Sequence, residues 1–313
     1  MKIGLDIMGG DYAPKATVLG AIAAFKALSA DQQLVLFGDK DQILPILAEQ
    51  GFAPENFEYV HTTEVIGMGE HATKAVFQKP NSSISLGFQY LKEGKIDSFA
   101  SAGNTGAMLV GAMFSVKTIP GVIRPAIATN VPKLKSGFGI MLDVGANADC
   151  KPDVLVQFGV LGSLYAEHIY KMNNPKVGLM NLGEEEEKGN MLTQATFPLM
   201  KDTTLFNFIG NIEGRDLFND KADVIVCDGF TGNIALKLAE TFYILTLKKG
   251  FKDEFFDRFN YEQYGGSPIL GVNAPVIIGH GISSPEAIKN MILLSRVVIE
   301  AKLIDKIREA FNK

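Results

Sequence analysis

What this chain lacks narrows the reading first. It has only two cysteines, Cys150 and Cys227, too far apart in sequence for a metal knuckle or a redox pair, and this points to a reduced, cytosolic protein. No uninterrupted apolar run reaches the roughly 18 residues that a membrane-spanning helix needs. The opening MKIGLDIMGGD meets Asp6 almost at once and has no apolar h-region, so no signal peptide is expected. There is no basic surplus: 30 lysines and arginines stand against 35 acids, a net charge of −5. That balance speaks against a nucleic-acid binder. The glycine fingerprints of dinucleotide and ATP sites are missing, as is a G-x-S-x-G nucleophile elbow. The four histidines, His61, His71, His168 and His280, are scattered without zinc spacing. No cofactor and no metal are expected.

What is present is ample core material. Of 313 residues, 47% are apolar and 21% charged, a globular composition that excludes disorder. Short apolar runs alternate with amphipathic stretches. The expected strands are 3–7, 34–37, 57–60, 98–100, 126–130, 139–142, 177–180, 206–209, 223–227 and 276–278. The expected helices are 14–28, 40–50, 82–93, 104–117, 153–171, 190–201, 231–249 and 284–310. Strand then helix, repeated, argues for an α/β fold with a mostly parallel sheet flanked by helices. One α/β domain over 1–313 is expected, with two loosely defined subdomains and a small amphipathic helical protrusion at about 240–262.

Glycine is abundant, with 32 residues, many grouped where a strand should end. In open parallel sheets, ligands bind beyond the carboxyl ends of the strands. Four such loops carry small and polar residues: Asp6 to Asp11 with Gly9 and Gly10, Ser101 to Gly106 with Gly103, Asn104 and Thr105, Asp143 to Asn147, and Asp228 to Asn233 with Thr231. Glycine allows close backbone approach, and helix N-termini offer free N–H groups to a phosphate or oxyanion. Four loops in strand-to-helix position predict an anion site. Arg124, Lys151 and Arg215 are candidate phosphate clamps. The run Glu184 to Glu187 before Lys188 reads either as a solvated loop or as a source of one functional acid or Lys188. Cys150 reads as a bystander more readily than as an acyl-accepting nucleophile, because no base lies near it in sequence.

After helix 231–249, Gly250 interrupts and FKDEFFDRF follows. Phe251, Phe255 and Phe259 recur every four residues, Phe256 widens the stripe, and Lys248, Lys249, Lys252 and Arg258 supply cations. Such a helix suits a bilayer interface, and equally suits a core or dimer contact.

Taken in order, the loops resemble the phosphate acyltransferase family of bacterial phospholipid synthesis, also called acyl-acyl-carrier-protein:phosphate transacylase. The matching stretches are LDIMGGDYAP at 5–14, SAGNTGA at 101–107, LDVGANADCKP at 142–152, NLGEEE at 181–186 and KGN at 188–190. NFIGNIEGRD at 207–216, VCDGFTGN at 226–233 and YGGSP at 264–268 complete the set. The match runs from residue 1 to about 300. Departures are small: Ile7, Ala72 and Glu187 replace commoner residues, and the stretch before His280 and Gly281 lacks a lysine often found there.

The resemblance implies an isocitrate/isopropylmalate dehydrogenase-like architecture and a cytoplasmic homodimer associated peripherally with the membrane, its face at Phe251, Phe255, Phe256 and Phe259. It implies transfer of a fatty acyl group from acyl carrier protein to inorganic phosphate, with the acyl phosphate passed to a membrane glycerol-3-phosphate acyltransferase. On that basis phosphate, held by Asp6, Gly9, Gly10, Asp11, Ser101, Gly103, Asn104, Thr105, Asp143, Lys151, Arg215, Asp228 and Thr231, attacks the thioester directly. Asn104, Asn147 and Asn233 are the expected oxyanion donors. Lys188, then His280, are the expected partners of phosphate or leaving thiolate. Acyl carrier protein is strongly acidic, and Lys133, Lys135, Lys248 and Lys249 are expected candidates for its docking patch. The alternatives are a short-chain phosphotransacetylase using acyl-CoA and a non-catalytic scaffold.

Overall fold

A computed structural model describes residues 1–312. The chain begins with β1 (Lys2–Asp6), α1 (Lys15–Phe25), β2 (Gln33–Gly38), α2 (Lys40–Glu49), β3 (Glu58–His61), α3 (Ala72–Gln78), α4 (Ser83–Lys92), β4 (Ser98–Ser101) and α5 (Thr105–Gly111). The middle of the chain holds β5 (Ala126–Pro132), β6 (Phe138–Leu142), α6 (Pro152–Tyr170), β7 (Lys176–Met180), α7 (Met191–Lys201), β8 (Asn207–Ile212), β9 (Val224–Val226) and α8 (Gly229–Lys248). Then come α9 (Glu254–Asp257), β10 (Ser267–Leu270), β11 (Val276–Ile278), α10 (Pro285–Glu300) and α11 (Leu303–Phe311).

The chain forms two compact units. The first holds Met1–Thr118 and Tyr261–Ile304; the second holds Ile119–Asn260 and the residues from Asp305 on. In the first unit the strand order is β3-β2-β1-β4-β11-β10. All neighbours run parallel except β10 and β11. β1 is buried along nearly its whole length, because it lies between two parallel neighbours and helices cover such strands on both faces. Among those helices, α1 packs against α10. In the second unit the order is β5-β6-β9-β7-β8, parallel except for β5 and β6. There α6 packs on β9 and α7. The α/β class with a mostly parallel sheet stands.

Several local expectations change. The single helix expected over 284–310 is two, because Lys302 turns the chain with φ +52° between α10 and α11. The helix expected over 104–117 keeps its α-helical turns only to Gly111, loosens into a π-helical turn over Ala112–Val116, and ends at Lys117 with φ +65°. Strand β10 went unseen, since Gly265, Gly266 and Pro268 read as a turn. It exists because Ser267 and Pro268 pair antiparallel with Ile278 and Ile277. The short α3 also went unseen.

The phenylalanine stripe is corrected too. Gly250, at φ +72°, follows the last residues of α8. Asp253 then accepts from the N–H groups of Phe255 and Phe256 and starts α9, a separate single turn. Phe255 and Phe259 stack edge-on against Phe218, at 6.1 and 5.3 Å between ring centres, and Phe256 lies against both. Phe255, Phe256 and Phe259 are therefore half-buried in an aromatic cluster of the second unit, while Phe251 is 67% exposed.

Lys133 is also not a surface cation. It is buried, and its Nζ meets Asp223 Oδ1 at 2.6 Å. The other Asp223 oxygen accepts from Lys176 N at 2.9 Å, so one carboxylate ties the end of β5 to the start of β7. Burial by itself raises the Asp223 carboxyl, but the Lys133 and Lys176 hydrogen bonds and charges outweigh it and hold the group below its ordinary value. A depressed carboxyl stabilises the fold above its unfolded pKa and loses that contribution as pH falls. Lys133→Met is therefore expected to cost about 2 kcal/mol at pH 7. In urea melts the deficit should shrink as the pH drops below the ordinary 3.8; a deficit constant down to pH 3 would contradict this.

Candidate active site

The expected site residues fall into two loop clusters, one in each unit. In the first unit, Asp6 ends β1 and is buried. Its carboxylate accepts from Ser101 Oγ at 2.6 Å and Met8 N at 2.9 Å. Ser101 Oγ in turn accepts from Gly103 N at 2.9 Å. Burial is the largest influence on Asp6 and raises its carboxyl, although Ser101, Ser83 and the N–H groups of Met8 and Gly9 oppose it. Gly9 passes so close that a Cβ there would collide with Asp6 Oδ2 and Gly103 N. Asp11 N donates to Gly281 O at 2.7 Å, which brings the loop of His280 beside that of Gly10 and Asp11. The His280 ring lies 4.6 Å from that of Tyr261. Thr105 and Asp11 are exposed.

Asn104 is committed within this cluster. Its Oδ1 accepts from Ala107 N at 3.0 Å, capping α5. Its Nδ2 donates to the carbonyls of Gly67, Met68 and Glu70, each at 3.1 Å. An amide spent on three carbonyls is not free for an oxyanion, so that expectation is corrected: Asn104 straps the 67–70 loop.

In the second unit Asp143 plays the matching part. It is fully buried after β6. Oδ1 accepts from Ile127 N at 3.0 Å and Ala146 N at 3.1 Å; Oδ2 accepts from Asn147 N at 2.6 Å and Asn147 Nδ2 at 2.9 Å. Burial dominates and raises its carboxyl against those four bonds. Asn147 Nδ2 gives its other proton to Pro125 O at 2.8 Å. Both amide protons of Asn147 are thus used, and its expected role as an oxyanion donor is corrected in the same way. Asp6 and Asp143 likewise shape the loops from beneath instead of meeting phosphate. Gly232 sits where a Cβ would run into the Asp143 carbonyl oxygen and Cys227 Sγ, so α8 begins hard against this loop.

Asp228 caps α8, accepting from Thr231 N and Thr231 Oγ1, each at 2.8 Å. Asn190 caps α7, accepting from Thr193 N at 2.9 Å. The loop ahead of α6 and the starts of α7 and α8 line one open pocket of about 710 Å³: Ala148, Asp149 and Cys150 from the loop, Asn190, Met191 and Leu192 at α7, and Asp228, Phe230 and Thr231 at α8. A smaller pocket of about 270 Å³ shares Asn190, Asp228 and Thr231 and adds Leu155, Met180, Asn181, Leu182, Thr193 and Cys227. The N-termini of α7 and α8 open on this pocket and favour negative charge there, while the carboxylates of Asp149 and Asp228 in the same lining oppose it. Asn190 went unnamed as a site residue because its N-cap position explains it locally. Its Nδ2 makes no hydrogen bond among the described residues, and neither does the side chain of exposed Asn233.

The cations divide. Arg215 is exposed and pairs with Glu213 at 2.7 Å and Glu184 at 3.6 Å. Glu184 also pairs with Lys221 at 2.6 Å, which pulls its carboxyl down, and Glu186 pairs with Lys201 at 2.6 Å. The acidic run is thus a surface ion-pair network. Lys188 is exposed, with no ion pair among the described residues; so are Lys151 and Arg124.

Cys150 and Cys227 are both free thiols. Burial first, then the charges of Asp143 and Asp228, push the Cys150 thiol up to about 12, against a smaller pull from Arg124. At pH 8 its thiolate should be about a thousandfold scarcer than an ordinary one. Iodoacetamide is expected to modify Cys150 slowly in the folded protein and rapidly after denaturation; fast labelling of the folded chain would contradict this setting. Asp143→Asn turns one acceptor oxygen into a donor facing two N–H donors, and should cost about 1–3 kcal/mol. A urea midpoint equal to that of the unsubstituted protein would rule out that role for Asp143.

Among the described residues no group of His, Cys, Asp and Glu could hold a metal ion, and no helix is long and apolar enough to cross a membrane. A model of the family described as "Fatty acid synthesis protein" matches residues 1–306. The chain is 44% identical to the phosphate acyltransferase of Dictyoglomus turgidum, over 100% of this chain and 98% of that one. It is 39% identical to that of Halothermothrix orenii, over 100% and 99%. Among solved structures it is similar to a phosphotransacetylase from Streptococcus pyogenes, with TM-score 0.67, 17% identity, and coverage of 97% of this chain and 94% of that one. A branched-chain phosphotransacylase from Enterococcus faecalis has TM-score 0.63, 15% identity, and coverage of 96% and 98%. At these identities the structures speak to the fold alone.

Proposed function

Because the chain belongs to the phosphate acyltransferase family, we propose that it takes a fatty acyl group from acyl carrier protein, gives it to inorganic phosphate, and so supplies acyl phosphate for phospholipid synthesis. That it is an acyltransferase acting on phosphate follows from the family. The observation that carries the mechanism is the pocket of the second unit at which α7 and α8 begin beside the loop that leads into α6. There monohydrogen phosphate, neutralised by N–H groups and helix dipoles, attacks the thioester carbonyl carbon. The new C–O bond forms, the C–S bond breaks, and the proton that phosphate loses ends on the departing thiolate, so no separate base is required.

Positioning supplies most of the rate in such a scheme. The uncommitted amides of Asn233 and Asn190 and the loop N–H groups are the proposed donors to the tetrahedral oxyanion. Lys188 and Lys151, neither of them tied to a carboxylate, are the proposed cations for phosphate, and Lys188 is also the proposed partner of the leaving thiolate. In the second unit Thr231 is proposed to shape the phosphate loop; in the first unit Gly9, Gly10, Asp11, Ser101, Gly103 and Thr105 are proposed to shape that unit's own anion loops. A thiol held at about 12 makes a poor acyl acceptor, which favours direct attack over an acyl-Cys150 intermediate.

Lys135 pairs with Asp220 at 3.0 Å, whereas Lys248 and Lys249 are exposed and make no ion pair among the described residues. The latter two are the proposed docking cations for the acidic carrier protein. With Lys252 and exposed Phe251 they also form the proposed contact with a membrane surface, where the product passes to a glycerol-3-phosphate acyltransferase. The working unit is proposed to be a cytoplasmic homodimer.

The test is to incubate the purified protein with palmitoyl-loaded carrier protein and phosphate, following free thiol and acyl phosphate together. Equal, phosphate-dependent release of both is expected. Lys188→Met should reduce kcat/KM by at least about tenfold, the scale of one lost charge-assisted contact, and Cys150→Ser should retain turnover. Release from acyl-CoA but not from the carrier would reassign the donor; no release from either would overturn the reading.

A further inference from the structure

Acyl thioesters and acyl phosphates join a polar reacting end to a hydrocarbon tail that water disfavours. The larger pocket of the second unit has both characters. Its polar part is the loop Ala148 to Cys150 together with the helix starts at Asn190, Asp228 and Thr231; the same pocket carries Met191, Leu192 and Phe230. Met191 is 88% exposed and Phe230 63%. Met191 is the first residue of α7 and Phe230 the second of α8. Neither helix needs them there, since Asn190 and Asp228 do the capping and a polar residue would serve the first turn as well. A single exposed apolar side chain is ordinary. Two large ones with Leu192 on one polar-backed pocket are a built amphiphilic site, and about 710 Å³ is within the usual span of small-ligand pockets.

We propose that this pocket seats the hydrocarbon chain of the acyl donor, and that Met191 and Phe230 select long chains over short ones. The proposal rests on the acyl-transfer reading and adds to it the place of the chain and the residues that measure it. The tail lies against Met191, Leu192 and Phe230, which leaves the thioester carbonyl at the helix starts where phosphate is held. Short acyl groups reach the same polar end but gain nothing from the two rim residues.

The chain contains no tryptophan, so Met191→Trp introduces a single fluorescent reporter. Titration with hexadecyl phosphate below its micelle concentration is expected to give a saturable blue shift. Butyl phosphate at equal concentration should give none, and Leu205→Trp, on an exposed residue just before β8, should respond to neither. No response to hexadecyl phosphate, or the same response at both reporters, would overturn the seat. In parallel, the ratio of kcat/KM for palmitoyl- over butyryl-loaded carrier protein is measured for the unsubstituted protein, Met191→Ser, Phe230→Ser and Leu205→Ser. The ratio should fall about tenfold in each rim variant and stay constant in Leu205→Ser. An unchanged ratio in both rim variants would also overturn the seat, with acyl transfer left standing. Failure of the unsubstituted protein to use any donor would count against acyl transfer itself, and the tryptophan titration would then decide the seat alone.

Discussion

A carboxylate with no exposed surface organises the second unit. Asp143 collects the backbone N–H groups of Ile127, Ala146 and Asn147 and one proton of the Asn147 amide, and so binds the edge of β5 to the loop that follows β6. The cost of burying the group shows in its raised carboxyl; the four donors are what make that burial tolerable. The loop before α6 and the start of α8, on two sides of the larger pocket, depend on this knot. The Asn147 amide reaches on to Pro125, the Asn147 carbonyl accepts from Gly229 N at 2.7 Å, and the start of α8 is set by contact with the same loop. The knot holds the loop before α6 against the turn before α8, and both line the pocket.

The first unit repeats the device with different atoms. Asp6 gathers Ser101 and Met8, Ser101 gathers Gly103, and Asn104 straps the 67–70 loop through three carbonyls. In both units the most polar residues at the strand ends hold backbone, and this leaves the ligand-facing work to N–H groups and to side chains with spare hydrogen-bonding capacity. That division suits phosphate, which backbone N–H groups bind at small entropic cost because they are already fixed. Partial burial and two neighbouring carboxylates push up the thiol of the site loop and hold it in its protonated form.

Apolar exposure is distributed unevenly. The phenylalanines that share one stripe in sequence close on Phe218 instead, while α8 leaves Ile234, Leu238, Phe242 and Leu245 uncovered along its length. Large apolar surface thus lies beside the pocket and along the helix that starts from it.

Much of this was legible in the residues alone. Alternating apolar runs and amphipathic stretches marked nearly all strands and long helices, because burial between helices leaves that pattern whatever the tertiary details. The glycine-rich loops at 9–10, 103, 145 and 229–232 marked the strand ends, and their order carried the resemblance to the family. Lost were the elements whose stability is not local: β10, made by pairing with β11; the break at Lys302; and the aromatic cluster, whose Phe218 lies far from its partners in sequence. Side-chain roles were lost for a related reason. An asparagine in a polar loop looks the same in sequence whether its amide is spent or free, and only the fold places carbonyls around Asn104 and Asn147 while leaving Asn190 and Asn233 uncommitted. Periodicity determined the fold class, because it depends on which residues are apolar and how they are spaced, and the ordered loop motifs carried the resemblance to the family. Which polar atoms remain available for chemistry was decided by tertiary structure, because a hydrogen-bonding atom is freed or consumed by neighbours that only folding brings within reach.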